Sequence, residues 1–361
     1  MEVWDHDADK SSTRRLKTIQ CHDGACRTLG FVNDGALLLT GSSDRSILAT
    51  DVATGKPLAR LSNAHKSAVN RISVLDRNLI ASGDDDGVVK VWDTRQQTAC
   101  GSFAPFVDFV SDICHVPAGA GAGESVPDPS APGTSAAGAT NGGSLVVTSG
   151  DGTVAHLSLA NWKVLGQSDN MEDELLSCCV LKNGKKCVTG SQTGMLNIFS
   201  YGEWEDFSDR FPGHPSSIDA IVKVDEETIL TGSSDGIVRV ISILPNKMLG
   251  IVGEHGDMPL ERMALRDDHS LLATASHDKT IKLWDVKYLW ETDLRAGGGG
   301  VEMEGRGELD SDDDDDSDSD EGGGKRKRKK KGKKGGSKVQ GSTQARATAK
   351  KQAAKKFFDG L

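Results

Sequence analysis

A repeat with a period near 42 residues is the feature that most constrains how this chain can fold. The clearest unit is residues 79–95, LIASGDDDGVVKVWDTR, in which an apolar strand, an Asp-rich turn and an alternating strand end on Trp92-Asp93. The turn positions of the six units are Asp44, Asp86, Asp151, Thr193, Asp235 and Asp278, with spacings of 42, 65, 42, 42 and 43 residues. Each unit therefore predicts a hairpin of one repeated structure.

This period, with strand, turn and strand ending in Trp-Asp and a His near the start of a unit, resembles the WD40 repeat. The corresponding fold is a β-propeller, whose four-stranded blades are set radially around a channel. The residue types suit it, because a turn Asp accepts backbone hydrogen bonds and alternating Val, Ile and Leu pack between blades. We predict an all-β WD40 β-propeller with six recognisable repeats.

Length divides the chain into one propeller domain, residues 1–296, and a tail, residues 297–361. The pieces EVWD and RRLKTIQ near the start match the third and fourth strands of a blade. Either RRLKTIQ joins the last blade and closes a six-bladed ring, or a seventh (first) blade is incomplete. The 23 surplus residues between Asp86 and Asp151 fall in residues 117–143, whose Gly, Ala, Pro and Ser content predicts a disordered surface insert.

The net charge of −10 is segregated along the chain. Residues 1–296 carry 27 Lys and Arg against 40 Asp and Glu, residues 297–324 carry 1 against 12, and residues 325–361 carry 15 against 1. Blocks of like charge repel and stay unfolded, so we predict a disordered tail that is acidic over 307–321 and basic over 325–356. Contact with nucleic acid, if made, is expected to be driven by this tail and to be salt-sensitive.

Three short features of the tail are candidate sites. The cluster Lys325, Arg326, Lys327, Arg328, Lys329, Lys330, Lys331 suits nuclear import or RNA contact, with a merely solubilising role as the alternative. Ser311 and Ser317 each have an acid three residues on, as an acid-directed kinase requires, although an unmodified solvated run fits equally well. Phe357, Phe358 and Leu361 resemble a docking motif, and chance composition is the alternative.

Motifs for catalysis or cofactor binding are weak or absent in the sequence. The segment 232–236, GSSDG, fits the G-x-S-x-G pattern, but it lies in a predicted hairpin turn and not in a strand-to-helix elbow. No phosphate-binding loop or metal-spaced cluster occurs, and the seven cysteines form no C-x-x-C pair, which indicates reduced thiols. No run of eighteen apolar residues and no signal-like N-terminus occurs. We expect a soluble non-enzyme without cofactor, metal, membrane or small-molecule partner.

The histidines near the repeat starts are expected to serve the fold. In the WD40 pattern such a His bonds the turn Asp, and a strand Ser or Thr links it to the Trp. Buried polar groups that satisfy one another in this way need no catalytic explanation. Set on this sequence, the pattern predicts two structural networks, one of His65, Asp86 and Trp92 and one of His255, Ser276, Asp278 and Trp284.

Several segments are not dictated by the repeat. SDRFPGHPSSIDAIVKV at 208–224 and ILPNKMLGIVGEHGDMPLERMAL at 243–265, with AHKSAVNRI and the lysine-rich end FFDGL, resemble the WD repeat-containing protein 55 family. The resemblance implies seven blades and a nuclear, largely nucleolar scaffold that supports ribosomal RNA production and ribosome biogenesis. It also implies pre-ribosomal assembly proteins as partners.

A second function class remains open. VKVWDTR ends in Trp-Asp-x-Arg and, with Asp86, matches the box of WD40 substrate receptors of cullin-4 ubiquitin ligases. In that interpretation Asp86, Trp92, Asp93 and Arg95 support docking to the ligase adaptor. Arg95 discriminates, because an ordinary repeat uses the other three residues as well. Histone or chromatin binding by the acidic propeller is a third, weaker possibility.

Overall fold

The computed structural model describes residues 1–7, 12–95, 98–119 and 142–291. They form five four-stranded sheets, one three-stranded sheet and one two-stranded sheet. We number the six larger sheets as blades I to VI in chain order. Of the predicted insert, residues 120–141 lie outside the described ranges, as does the whole tail.

The strands follow one another in sequence order. The N-terminal hairpin is β1 (Glu2–Asp7) and β2 (Ser12–Thr18). Blade I is β3 (Cys26–Val32), β4 (Leu37–Ser42), β5 (Ile47–Asp51) and β6 (Pro57–Leu61); blade II is β7 (Val69–Asp76), β8 (Leu79–Asp84), β9 (Val89–Asp93) and β10 (Ala99–Phe103). Blade III is β11 (Val110–Val116), β12 (Ser144–Ser149), β13 (Val154–Ser158) and β14 (Val164–Gln167).

Blade IV is β15 (Leu175–Leu181), β16 (Lys186–Ser191), β17 (Met195–Ser200) and β18 (Asp209–Pro212). Blade V is β19 (Ile218–Lys223), β20 (Thr228–Ser233), β21 (Ile237–Ser242) and β22 (Lys247–Glu254). Blade VI is β23 (Leu260–Leu265), β24 (Leu271–Ser276) and β25 (Ile281–Asp285), followed by the short helix α1 (Tyr288–Glu291). Within each blade, consecutive strands pair antiparallel, which confirms the predicted WD40-type all-β propeller.

The first strand of each blade is the innermost and lies beside the first strand of the next, in the order β3, β7, β11, β15, β19 and β23. Hydrogen bonds tie these strands together across blades. Ile72 N donates to Thr28 Oγ1 at 2.9 Å, and Ser177 Oγ donates to the Ile218 carbonyl at 2.8 Å. These hydrogen bonds help to fix the orientation of neighbouring blades around the channel.

Apolar side chains pack between blades rather than in one central core. The second strands are buried along their whole length in blades I, III and V, because both of their faces lie against neighbouring blades. Leu39, Ile80 and Leu145 are fully buried, and each is worth about 1.5–3 kcal/mol of apolar burial. Blades with an atypical repeat keep this packing, as Phe199 is also fully buried where a Trp would stand.

The strand RRLKTIQ does not join the last blade, so the prediction that it closes a six-bladed ring is wrong. Its β2 pairs with β1, and within the described residues blade VI has three strands. The antiparallel hairpin β1–β2 matches the predicted third and fourth strands of an incomplete first blade. Leu29 and Phe31, two side chains of β3 in blade I, are each 53% exposed.

Residues beyond the last strand still pack on blade VI. Leu289 is buried in the apolar cluster between blades V and VI, and Trp290 stacks on His269 with ring centroids 4.9 Å apart. The helix α1 therefore belongs to the folded part of the chain. Among the helices of the described ranges, none has the length and apolar character needed to cross a membrane.

Candidate functional site

Blade II contains a complete buried polar network at one end of the propeller. His65 Nδ1 lies 2.8 Å from Asp84 Oδ2, and its Nε2 lies 2.6 Å from Ser82 Oγ. Trp92 Nε1 donates to the same Ser82 Oγ at 2.8 Å. Burial opposes ionisation of Asp84, but hydrogen bonds from His65 and from the Val88 amide outweigh it and hold its pKa below the usual range.

The aspartate in this network is Asp84, so the prediction of Asp86 is wrong. Asp84 is the last residue of β8, and its side chain points inward to His65 and accepts from the turn amides of Asp86 and Val88. Asp86 is two residues further on, in the turn, where its side chain is exposed. In a run of three aspartates, the register of β8 decides which one reaches the histidine.

Blade VI repeats the network with one more correction. His255 Nδ1 lies 2.7 Å from Asp278 Oδ2, as the sequence pattern predicts. The bridging hydroxyl is that of Thr274, which lies 2.7 Å from His255 Nε2 and accepts from Trp284 Nε1 at 2.9 Å. Ser276 instead donates to the Pro259 carbonyl at 2.8 Å. It lies two residues after Thr274, on the same face of the strand but nearer the turn.

Blade V has the histidine and the turn aspartate but does not join them. Arg239 captures Asp235 with two hydrogen bonds, Nη1 to Oδ1 at 3.0 Å and Nη2 to Oδ2 at 2.6 Å. His214 Nε2 lies 2.8 Å from Thr231 Oγ1, while its Nδ1 is buried without a partner in the described part of the chain. In blade III, buried Phe106 takes the place of the histidine.

Two buried histidines make stability depend on pH. The pKa values of His156 and His214 are lowered to about 4, in both cases mainly by burial. The unfolded chain, with an ordinary histidine pKa of 6.5, then binds protons more tightly than the folded chain. We predict that the free energy of unfolding falls from about pH 6.5 down to about pH 4, by about 1–3 kcal/mol per histidine.

Denaturant unfolding measured across that pH range checks this prediction. His156→Gln removes one of these titrating groups, so it should flatten the slope of unfolding free energy against pH. A slope equal to that of the unaltered chain would contradict the assignment.

A cavity of about 430 Å³ opens at the same end of the propeller, at the mouth of the central channel. Every innermost strand has a register shift at the corresponding position, which indicates a β-bulge. Bulges redirect side chains, and the residues at these six shifts all line the cavity: Arg27, Asn70, Ser111, Leu176, Asp219 and Glu261. The structurally equivalent position therefore holds a different residue type in each of the six blades.

These bulge residues were not predicted from the sequence, although their spacing from the turn positions could have indicated them. Five of the six lie 16 or 17 residues before the turn position of their repeat, and only the insert in the third repeat breaks that offset. The repeat conserves the position and not the residue type. The bulge therefore fixes where these side chains point, while the residue type differs from blade to blade.

The cations around the cavity differ in their pairing. Arg27 Nη1 bonds Asp85 at 2.9 Å and Asn70 Oδ1 at 2.5 Å, and Arg71 Nε bonds Asp112 at 2.7 Å. The pKa of Arg262 is lowered by partial desolvation beside the channel walls and by the charge of Arg71. Within the described residues, Arg262 forms no ion pair at bonding distance.

The anions Asp219 and Glu261 lie near Arg262 on the cavity wall. Burial raises the pKa of Asp219 against the hydrogen bond from Ser217, and the charge of Glu261 raises it further. Ser217 Oγ donates to Asp219 at 3.0 Å, and Glu261 Oε1 lies 2.8 Å from His277 Nε2. Neither carboxylate has a Lys or Arg at salt-bridge distance in the described ranges.

The residues of the ligase-docking hypothesis do not form one surface. Trp92 and Asp93 are buried, whereas Arg95 leaves 66% of its side chain exposed. The Arg95 guanidinium bonds Asp93 through Nε at 2.9 Å and Nη2 at 2.7 Å. Asp86 precedes β9 and Arg95 follows it, so about 17 Å of strand separates them. A docking surface here would centre on Arg95.

The remaining candidate sites differ in what the structure says about them. Ser234 Oγ of the G-x-S-x-G segment lies 2.6 Å from Ser217 Oγ, in a turn between two strands. In the described ranges, no group of three His, Cys, Asp or Glu has a metal-binding arrangement. The tail sites lie outside the described residues: Ser311, Ser317, the 325–331 cluster, Phe357, Phe358 and Leu361.

Comparison with known proteins assigns the class first. The model of the WD domain, G-beta repeat, matches residues 13–49, 55–93, 206–242 and 247–285. The crystal structure of the RRP9 WD40 repeats superposes with a TM-score of 0.62 at 20% identity, covering 76% of this chain and 81% of that one. The chain is therefore a WD40-repeat propeller.

Relatives then narrow the assignment. WD repeat-containing protein 55 of Arabidopsis thaliana is 39% identical over 292 residues, which cover 81% of this chain and 76% of the relative. The WD repeat-containing protein 55 homolog of Dictyostelium discoideum is 37% identical over 76% of this chain and 61% of its own length. The chain belongs to the WD repeat-containing protein 55 family.

Proposed function

We propose that this chain is a non-enzymatic scaffold of the nucleus and nucleolus that supports ribosomal RNA production and ribosome biogenesis. Membership of the WD repeat-containing protein 55 family carries the proposal. The propeller fits it, because a rigid ring that brings six different side chains to one cavity suits selective protein binding. In this role the propeller holds assembly proteins, and the basic cluster 325–331 directs import and contacts RNA.

An affinity purification of the tagged chain from nuclear extract tests the proposal, with and without ribonuclease and with mass spectrometric detection. Pre-ribosomal proteins should be enriched, and those held by the propeller should survive ribonuclease. Enrichment equal to that of an unrelated tagged propeller would contradict the scaffold.

The second candidate is a substrate receptor of a cullin-4 ubiquitin ligase. The observation that favours it is the 66% exposed Arg95 beside buried Trp92-Asp93, since this presents the one discriminating residue of the box at the surface. The two functions are compatible in one nuclear protein.

Arg95→Ala separates the two functions. We expect this variant to lose the cullin adaptor in the same purification while keeping the pre-ribosomal proteins. Its free energy of unfolding should change by less than about 0.5 kcal/mol, because an exposed ion pair contributes little. Lys287→Ala, which removes an exposed cation beyond the equivalent strand of blade VI, is the matched control. Adaptor binding that survives in Arg95→Ala would remove the best support for the receptor.

A further inference from the structure

The cavity at the channel mouth holds two carboxylates that lack a cationic bonding partner in the described chain. Asp219 receives only the Ser217 hydroxyl, and Glu261 pairs with a histidine. Burial and the charge of Glu261 raise the pKa of Asp219 more than the Ser217 hydrogen bond and the charges of Arg262 and His277 lower it. A Lys or Arg head that enters between Asp219 and Glu261 would give both carboxylates a cationic partner.

The cavity also has an apolar wall, which a cluster of acids alone would not provide. Phe109, Val110 and Leu176 line it beside the carboxylates. Two exposed apolar side chains lie in the loops around the mouth, Val107 at 92% and Met258 at 50% exposure. Lys and Arg side chains combine a methylene stem with a charged head, so such a wall with carboxylates beside it is complementary to them.

The face around the cavity is acidic on balance, although the cavity wall itself carries Arg27 and Arg262. It consists of the loops before the innermost strands and the turns between the second and third strands. Its exposed cations are Arg45, Lys66 and Lys279, and its exposed anions are Asp23, Asp86, Asp108, Asp169, Glu172 and Asp257. A further seven acidic residues on these loops and turns are partly exposed: Asp44, Asp85, Asp151, Asp173, Glu174, Asp235 and Asp278. This field attracts basic segments and repels phosphate backbones.

We propose that the channel mouth binds a basic segment of a protein partner, with one Lys or Arg head between Asp219 and Glu261 and its stem along Phe109 and Leu176. Arg262 stands on the same wall and weakens this binding by repulsion, which limits affinity to segments that also make apolar contacts. The inference names the partner chemistry of the scaffold proposed above and rests on that binding role.

Fluorescence anisotropy of the purified full chain tests the inference directly. The probe is a labelled short peptide of alternating arginine and leucine, and a peptide with glutamate for arginine is its control. The basic peptide should bind, and the double variant Asp219→Asn with Glu261→Gln should weaken its binding by about tenfold or more. Arg262→Gln should strengthen binding by about two- to fivefold, because it removes the opposing charge.

Asp23→Asn is a single-charge control for the double variant, since it removes one charge from the same face at a side chain that is 93% exposed and outside the cavity. It should change the affinity by less than about twofold. Circular dichroism shows that each variant is folded. Equal weakening by Asp23→Asn and by the double variant would overturn the inference in favour of diffuse attraction, and so would unchanged binding in Arg262→Gln.

A labelled oligouridylate identifies the class of partner. It should bind with no dependence on Asp219 or Glu261, whereas cavity-dependent binding of the oligouridylate would overturn the assignment to a protein segment. These measurements use purified chain alone, so their failure leaves the nucleolar scaffold to be judged by its own purification from nuclear extract.

Discussion

Asp84→Ala is expected to lower the free energy of unfolding by about 2–4 kcal/mol. The substitution leaves His65 buried without its carboxylate and leaves the turn amides of Asp86 and Val88 without their acceptor. The His65 ring then keeps only its hydrogen bond to Ser82. Equilibrium denaturation followed by tryptophan fluorescence measures the loss.

Asp86→Ala is the matched control for this prediction. It removes a neighbouring aspartate of the same run whose exposed side chain makes no hydrogen bond in the described part of the chain. We expect a change within about 0.5 kcal/mol. Equal losses in the two variants would show that the turn is sensitive to any lost charge and that the His65–Asp84 bond is not the cause.

Gly236→Ala is expected to destabilise the propeller by about 3 kcal/mol or more. Gly236 has a φ of +81° in the turn of blade V, and an added Cβ would lie 2.1 Å from the Gly256 carbonyl oxygen and 2.9 Å from that of Met258. Both oxygens belong to the loop that leads into blade VI. The methyl group would therefore push the blade V turn and this loop apart, and thermal unfolding measures the effect.

Gly35→Ala isolates the contribution of the backbone angle. Gly35 has almost the same φ, +83°, but nothing lies within 4 Å of an added Cβ. We expect a cost of about 1 kcal/mol from left-handed strain alone. If both variants lost the same stability, the close packing of blades V and VI at this turn would not be the cause.

The strands could be predicted from the sequence because their signal is local. The apolar run, the turn and the alternating strand of residues 79–95 become β8, the turn and β9 with nearly the predicted bounds. The identity of the networked aspartate could not, since Asp84 and Asp86 have the same chemistry and the pairing register alone separates them.

Contacts that depend on side-chain reach were also beyond the sequence. Nothing in the repeat indicates that Arg239, four residues after Asp235, takes this carboxylate away from His214. The cavity residues Asp219 and Glu261 were missed for a related reason, because a one-residue bulge decides that they face the channel. Sequence periodicity locates blades, whereas register and bulges decide which residues the blades present.

The most direct test of the proposed function is pulse-labelling of ribosomal RNA precursors in cells depleted of this protein and rescued with the full chain. We predict that depletion reduces mature ribosomal RNA and that the full chain restores it, while the variant carrying Asp219→Asn and Glu261→Gln restores it less. Ribosomal RNA production that is unchanged by depletion would contradict a scaffold role in ribosome biogenesis.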